Sequence, residues 1–160
     1  MMKITLVVIG TLKEKYDQFA LQEYLKRLSS LCKLEVIELP ETKVPSTPSD
    51  KLIEQAKYDE TQRQVERIPL GSQVIVLDSR GQQLDSVELA TRFEQWATQG
   101  VSHLTFLIGG SHGFSALIDT IPHWKWSFSK LTFTHQMMRV MLLEQIYRAF
   151  KIIRKEPYHK

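Results

Sequence analysis

The sequence predicts an α/β fold, a mostly parallel sheet with helices on both faces, and three observations carry that prediction. Short apolar runs of strand length recur along the chain, and longer stretches with apolar residues at helical spacing lie between them. The two kinds alternate from first to last, which is the pattern of βαβ units and not of hairpins. With 160 residues, 42% of them hydrophobic, the chain can bury one self-sufficient core, so a single domain over residues 1–160 is expected.

The elements follow in order. Ile4 to Ile9 reads as a buried strand, and Glu14 to Leu31 places Phe19, Leu21, Leu25 and Leu28 at helical spacing. "KLEVIEL" (33–39) alternates as a strand, and "PETKVPSTPSD" (40–50), with three prolines, is a surface loop. Ser49 or Asp50 caps a helix to about Arg67, mostly polar and hence expected to lie exposed. "QVIVLD" (73–78) is an apolar run of the kind buried in parallel sheets, ended by the "SRG" turn. Asp85 or Ser86 caps the next helix, to about Thr98. "HLTFLIGG", "WKWSFSKLTF" and a closing helix from about His135 to Lys155 complete the chain. Ligands of such sheets bind outside the carboxyl ends of the strands, which points at Asp78, Gly109 and Phe128.

Composition bounds the setting. The single cysteine, Cys32, has no partner for an internal disulfide and argues for a reducing compartment. The apolar run near the N-terminus is six residues, too short for a signal core or a membrane span, so a cytoplasmic protein without membrane contact is expected. Net charge is +3 but unevenly spread: residues 1–122 hold 13 Lys+Arg against 16 Asp+Glu (−3), and residues 123–160 hold 8 against 2 (+6). A basic final quarter suggests a polyanionic partner, since Lys and Arg gain affinity by displacing counterions from phosphates.

The motifs exclude several chemistries. Gly109-Gly110-Ser111-His112-Gly113 lacks the Gly-Lys-Ser/Thr ending of a P-loop and the spacing of G-x-G-x-x-G. Ser111 does not sit in G-x-S-x-G, so a serine hydrolase is disfavoured. The five histidines show no His-x-x-x-His pair and no cysteine partners, so no metal site is expected. The closing helix is apolar over more than the roughly 100° that one core requires, and a second copy across a two-fold axis is the economical cover. Pro157 ends it, leaving Tyr158, His159 and Lys160: an aromatic for stacking, an imidazole and a cation, a coherent set for contacting RNA.

Taken together, "FLIGGSHGF", "SFSKLTFTHQMMRVMLLEQIYRAFKI" and the terminal "YHK" resemble the RlmH family, bacterial pseudouridine N3-methyltransferases of large-subunit (23S) ribosomal RNA in the SPOUT superfamily. The resemblance spans essentially the whole chain. It implies a C-terminal trefoil knot, S-adenosylmethionine as methyl donor, a homodimer, and a substrate met within the ribosome. It also implies the cofactor-binding residues Leu77, Gly109, Phe128, Ser129, Lys130, Leu131, Thr132 and Phe133, with the glycine pair giving the donor room. For catalysis, His159 is a candidate general base, Arg154 a candidate cation beside the imidate, and Tyr158 a base contact. The alternative readings are a ribosome-associated binding module without methyl transfer, and a flavodoxin-like nucleotide binder.

Overall fold

The computed structural model describes residues 1–160. Its elements are β1 (Lys3–Ile9), α1 (Lys15–Leu28), β2 (Lys33–Leu39), α2 (Asp50–Val65), β3 (Gln73–Gln83), α3 (Ser86–Thr98), β4 (His103–Ile108), a 3-10 turn (Ala116–Thr120), β5 (Trp124–Ser127) and α4 (His135–Ile153). All five strands pair in parallel, in the order β2-β1-β4-β3-β5. The predicted α/β class is therefore the observed one, with a helical layer on each face.

β1, β4 and the first half of β3 are apolar at nearly every position because successive side chains enter different cores. Ile4, Leu6 and Val8 of β1 join the larger core, under α1, α3 and α4. Val7 and Ile9 join the smaller one, under α2 and the 3-10 turn. α4 packs against both α1 and α3, and this absorbs Leu142, Leu143, Ile146 and Ala149 within the chain itself.

Several expectations are corrected. Phe19 is 73% exposed, because α1 turns Asp17, Leu21 and Leu28 inward instead. β3 does not stop at Asp78. The Asp78 carboxylate accepts from Arg80 N at 2.9 Å, the chain bulges, and β3 pairs with β5 again, so that both Leu77 and Gln82 face Trp126. α2 is polar but not merely exposed: Ala56, Glu60, Thr61 and Gln64 are buried, and the last three bond to loops and strand ends.

The return of β3 onto β5 requires glycine at position 81. A Cβ there would lie 2.6 Å from the Lys125 carbonyl carbon and 2.7 Å from Trp126 N, against backbone that cannot give way cheaply. Gly81→Ala is expected to destabilise by about 1–3 kcal/mol, the ordinary cost of overpacking. A urea midpoint equal to that of the parent would show that the bulge relaxes freely.

Candidate active site

Three segments meet at the carboxyl edge of the sheet: the end of β3, the turn after β4, and the loop between β5 and α4. They enclose a cavity of about 870 Å³. Leu77, Gly109, Phe128, Ser129, Leu131, Thr132 and Phe133 all line it, so seven of the eight residues expected to bind a cofactor are brought together. Lys130 is not among the lining residues; it lies in the same loop, on the exposed side. The loop is shaped by its own serines, with Ser127 Oγ donating to Ser129 O at 2.9 Å and Leu131 N donating to Ser129 Oγ at 3.0 Å.

The glycine pair serves a different purpose from the one expected. A Cβ on Gly109 would come within 3.2 Å of Gly113 C and of the Phe114 ring, and one on Gly110 within 2.6 Å of Glu60 Oε1. Both directions lead into protein. The turn is glycine-rich because it folds on itself, with Gly113 N donating to Gly110 O at 3.0 Å, and because it lies directly on α2. Its main chain is thereby offered to the cavity. α2 grips the turn along its length: Gln64 Nε2 donates to Ile108 O before it (2.9 Å), and Ser115 N donates to Thr61 Oγ1 after it (3.0 Å). Glu60 lies beneath Gly110, accepts from Thr42 N at 2.8 Å, and is pushed above the usual carboxylate range by burial.

Other lining residues carry charge. The Asp78 side chain is only 9% exposed, and its hydrogen bonds to Arg80 hold it below the usual carboxylate range. The strand-exit rule pointed to this residue. His135, the first residue of α4, also lines the cavity and was not foreseen; its Nδ1 is buried without a partner, and burial together with nearby Arg139 lowers its pKa. Its only sequence signal is its place at the start of a helix that follows a predicted ligand loop.

The C-terminal tail folds back along α4. Lys155 adopts φ 56°, the left-handed conformation that ends helices, and Glu156 N donates to Lys151 O at 3.0 Å. Tyr158 OH donates to Glu144 Oε1 at 3.0 Å, and desolvation with this bond pushes the phenol up to about 12. His159 lines a second cavity, of about 710 Å³, which shares Trp126, Phe128 and Phe133 with the first. Arg154, half-exposed at the end of α4, lines neither cavity and lies 4.0 Å from Glu156.

The basic final quarter is largely internally paired. Arg139 is 1% exposed and bonds Glu38 at 2.8 Å; Arg148 pairs with Glu144, Lys125 with Asp119, and Lys151 with Glu156. Free cations in this stretch reduce to the exposed Lys130, Lys155 and Lys160, with Arg154 weakly paired.

A family model described as "Predicted SPOUT methyltransferase" matches residues 2–159. The chain belongs to this family, and methyl transfer is accordingly its chemistry, with S-adenosylmethionine the donor that such enzymes generally use.

The environment of His135 makes a pH prediction. Its folded-state pKa lies below the ordinary 6.5, so its contribution to stability is complete above that pH and is lost as pH falls through the depressed value. Comparing urea midpoints of the parent and His135→Gln across this range, the parent should lose ground relative to the variant as pH drops. Parallel curves would mean that the imidazole is not held neutral.

Proposed function

We propose that this SPOUT methyltransferase modifies N3 of a pseudouridine in large-subunit (23S) ribosomal RNA, in the cytoplasm and within the assembled ribosome, using S-adenosylmethionine and acting as a homodimer. The observation that carries the reading is the convergence of the β3 exit, the glycine turn and the 127–136 loop on one cavity. These segments include blocks of sequence that resemble the RlmH family.

The lining fits the donor. Leu77, Ile108, Phe128 and Phe133 offer apolar surface for a flat adenosine, with the ion pair of Asp78 and Arg80 at the β3 exit. When bound, the donor supplies an electrophilic methyl group. The protein's task is then to align and desolvate: the main chain of the glycine turn fixes one side and the 128–133 loop the other. The imide N3 must lose its proton before it can attack. His159 lies across the shared aromatic wall from the donor cavity, whereas Arg154 lies outside both cavities, so of the two candidates for assisting that loss His159 has the better position. Tyr158 anchors the tail through Glu144.

For the homodimer, the support is exposed apolar surface: Met137 at the start of α4, Leu131 in the loop before it, and Tyr16 and Phe19 on α1, the helix that packs against α4, are all exposed, and a second copy would cover such residues. The trefoil knot that the family resemblance implies belongs to the C-terminal part of the chain. No helix is long and apolar enough to cross a membrane.

Mass spectrometry of ribosomal RNA from cells lacking the protein tests the substrate: one pseudouridine should lose its methyl group, and an unchanged modification profile would overturn the reading. Two variants test the parts. Gly109→Val, which forces the turn away from Gly113 and Phe114, should raise the dissociation constant for S-adenosylmethionine by roughly tenfold or more, ~1.4 kcal/mol; an unchanged constant would remove the turn from the site. Deleting residues 158–160 should spare donor binding and abolish methylation of ribosomes. Loss of both would place the tail in the donor cavity.

A further inference from the structure

We infer that Glu144 and Arg148 are positioning residues which present His159 to the second cavity as a hydrogen-bond donor for the target nucleobase, not as a proton acceptor. This rests on the proposed reading that the substrate is a nucleobase.

The argument begins with one carboxylate oxygen. Glu144 Oε1 accepts from Arg148 Nη2 at 2.6 Å, from Arg148 Nε at 3.0 Å and from Tyr158 OH at 3.0 Å. Its other oxygen accepts from Gln145 Nε2 at 2.8 Å. The guanidinium, fixed on its Nε and Nη2 edge, directs Nη1 to His159 Nδ1 at 3.1 Å. A guanidinium has only donors, so Nδ1 must accept. A neutral ring whose Nδ1 accepts carries its hydrogen on Nε2. Neither nitrogen then has a free lone pair with which to take a proton from substrate.

The surroundings restrict the tail further. The Tyr158 ring packs edge-on against Tyr147 with centroids 4.9 Å apart, and the Arg148 guanidinium lies 4.8 Å from the Tyr158 centroid. The second cavity, beside His159, is walled by Tyr24, Trp126, Phe128 and Phe133, flat surfaces suited to a nucleobase. Three of its walls, Trp126, Phe128 and Phe133, also line the donor cavity, so a base held there would lie beside the proposed donor site. An N3 flanked by two carbonyls places its negative charge on their oxygens once its proton has passed to water. An Nε2–H donor meets that charge where it develops.

The test separates the two ideas. In the full chain labelled with 15N-histidine, long-range 1H–15N spectra recorded at alkaline pH and assigned with His159→Gln should show the His159 hydrogen on Nε2 and a hydrogen-bonded Nδ1. Arg148→Ala should lose that Nδ1 signature, and Arg148→Lys, which keeps a donor, should partly restore it. Hydrogen on Nδ1, or an identical spectrum in Arg148→Ala, would overturn the inference. In methyl-transfer assays His159→Leu should lower kcat by roughly 10²–10³-fold, while His159→Gln, which keeps an N–H but cannot take a proton, should stay within about tenfold of the parent. Equal loss in both would make the imidazole a base and sink the proposal. Should the parent methylate no nucleobase while the spectra stand, the reading of the substrate fails and the positioning role of Arg148 survives.

Discussion

The carbonyl groups at the carboxyl edge of the sheet constrain everything built above them. Where parallel strands stop, their last carbonyls are buried and must find partners, because an unpaired backbone acceptor costs about as much as a lost hydrogen bond. Two long polar side chains meet that demand from opposite faces. Gln64 of α2 donates to Val7 O at 3.0 Å and Ile108 O at 2.9 Å, bridging β1 and β4. Arg139 of α4 reaches Ile9 O and Gly10 O, each at 3.3 Å, and carries its charge to Glu38 at 2.8 Å. Both helices are thereby registered to the same edge, and the loops preceding α4 and following β4 inherit that register.

A buried guanidinium is an expensive way to satisfy carbonyls, and burial lowers the Arg139 pKa. The gain is position. Arg139 lies one helical turn from His135, so fixing the first fixes where the start of α4 meets the cavity at the sheet edge. Gln64 does the same for the glycine turn, together with Glu60 and Thr61. The turn is thus pinned before, beneath and after by side chains of one helix, and its main chain cannot drift from the cavity. Rigid support of this kind is what a transfer reaction between two aligned partners requires.

Much of this was legible in the sequence, and what was not has identifiable reasons. Alternation of apolar runs and helical spacings exposes the α/β class, because strand and helix burial each leave a period. Seven of the eight residues named by the resemblance line one cavity, and they sit at strand exits and loops, where side chains are chosen by ligand and turn geometry more than by packing. α2 was misread because polar residues normally signal exposure, and hydropathy cannot show that Glu60, Thr61 and Gln64 face strand ends. The glycines were located, but their reason was not, since whether a Cβ would strike ligand or protein is a tertiary fact. Phe19 was misplaced because a helix with apolar residues on two sides does not declare which one faces the core.

The charge asymmetry shows that a count of cations is not a count of free cations. Of the basic residues after position 122, Arg139 holds strand ends, Arg148 holds the tail, Lys151 closes the α4 terminus on Glu156, and Lys125 joins β5 to Asp119. The partly exposed pairs, Lys151 with Glu156 and Lys125 with Asp119, contribute at most about 1 kcal/mol each, but every one of these contacts removes a cation from the pool available to phosphates. Counterion release scales with the number of phosphates neutralised, and the few cations left predict a shallow dependence of RNA affinity on salt. On the proposed substrate, recognition must therefore draw on shape and on the fit of the target base between aromatic walls. On that reading, the Trp126, Phe128 and Phe133 surface common to both cavities supplies such a fit beside the proposed donor site.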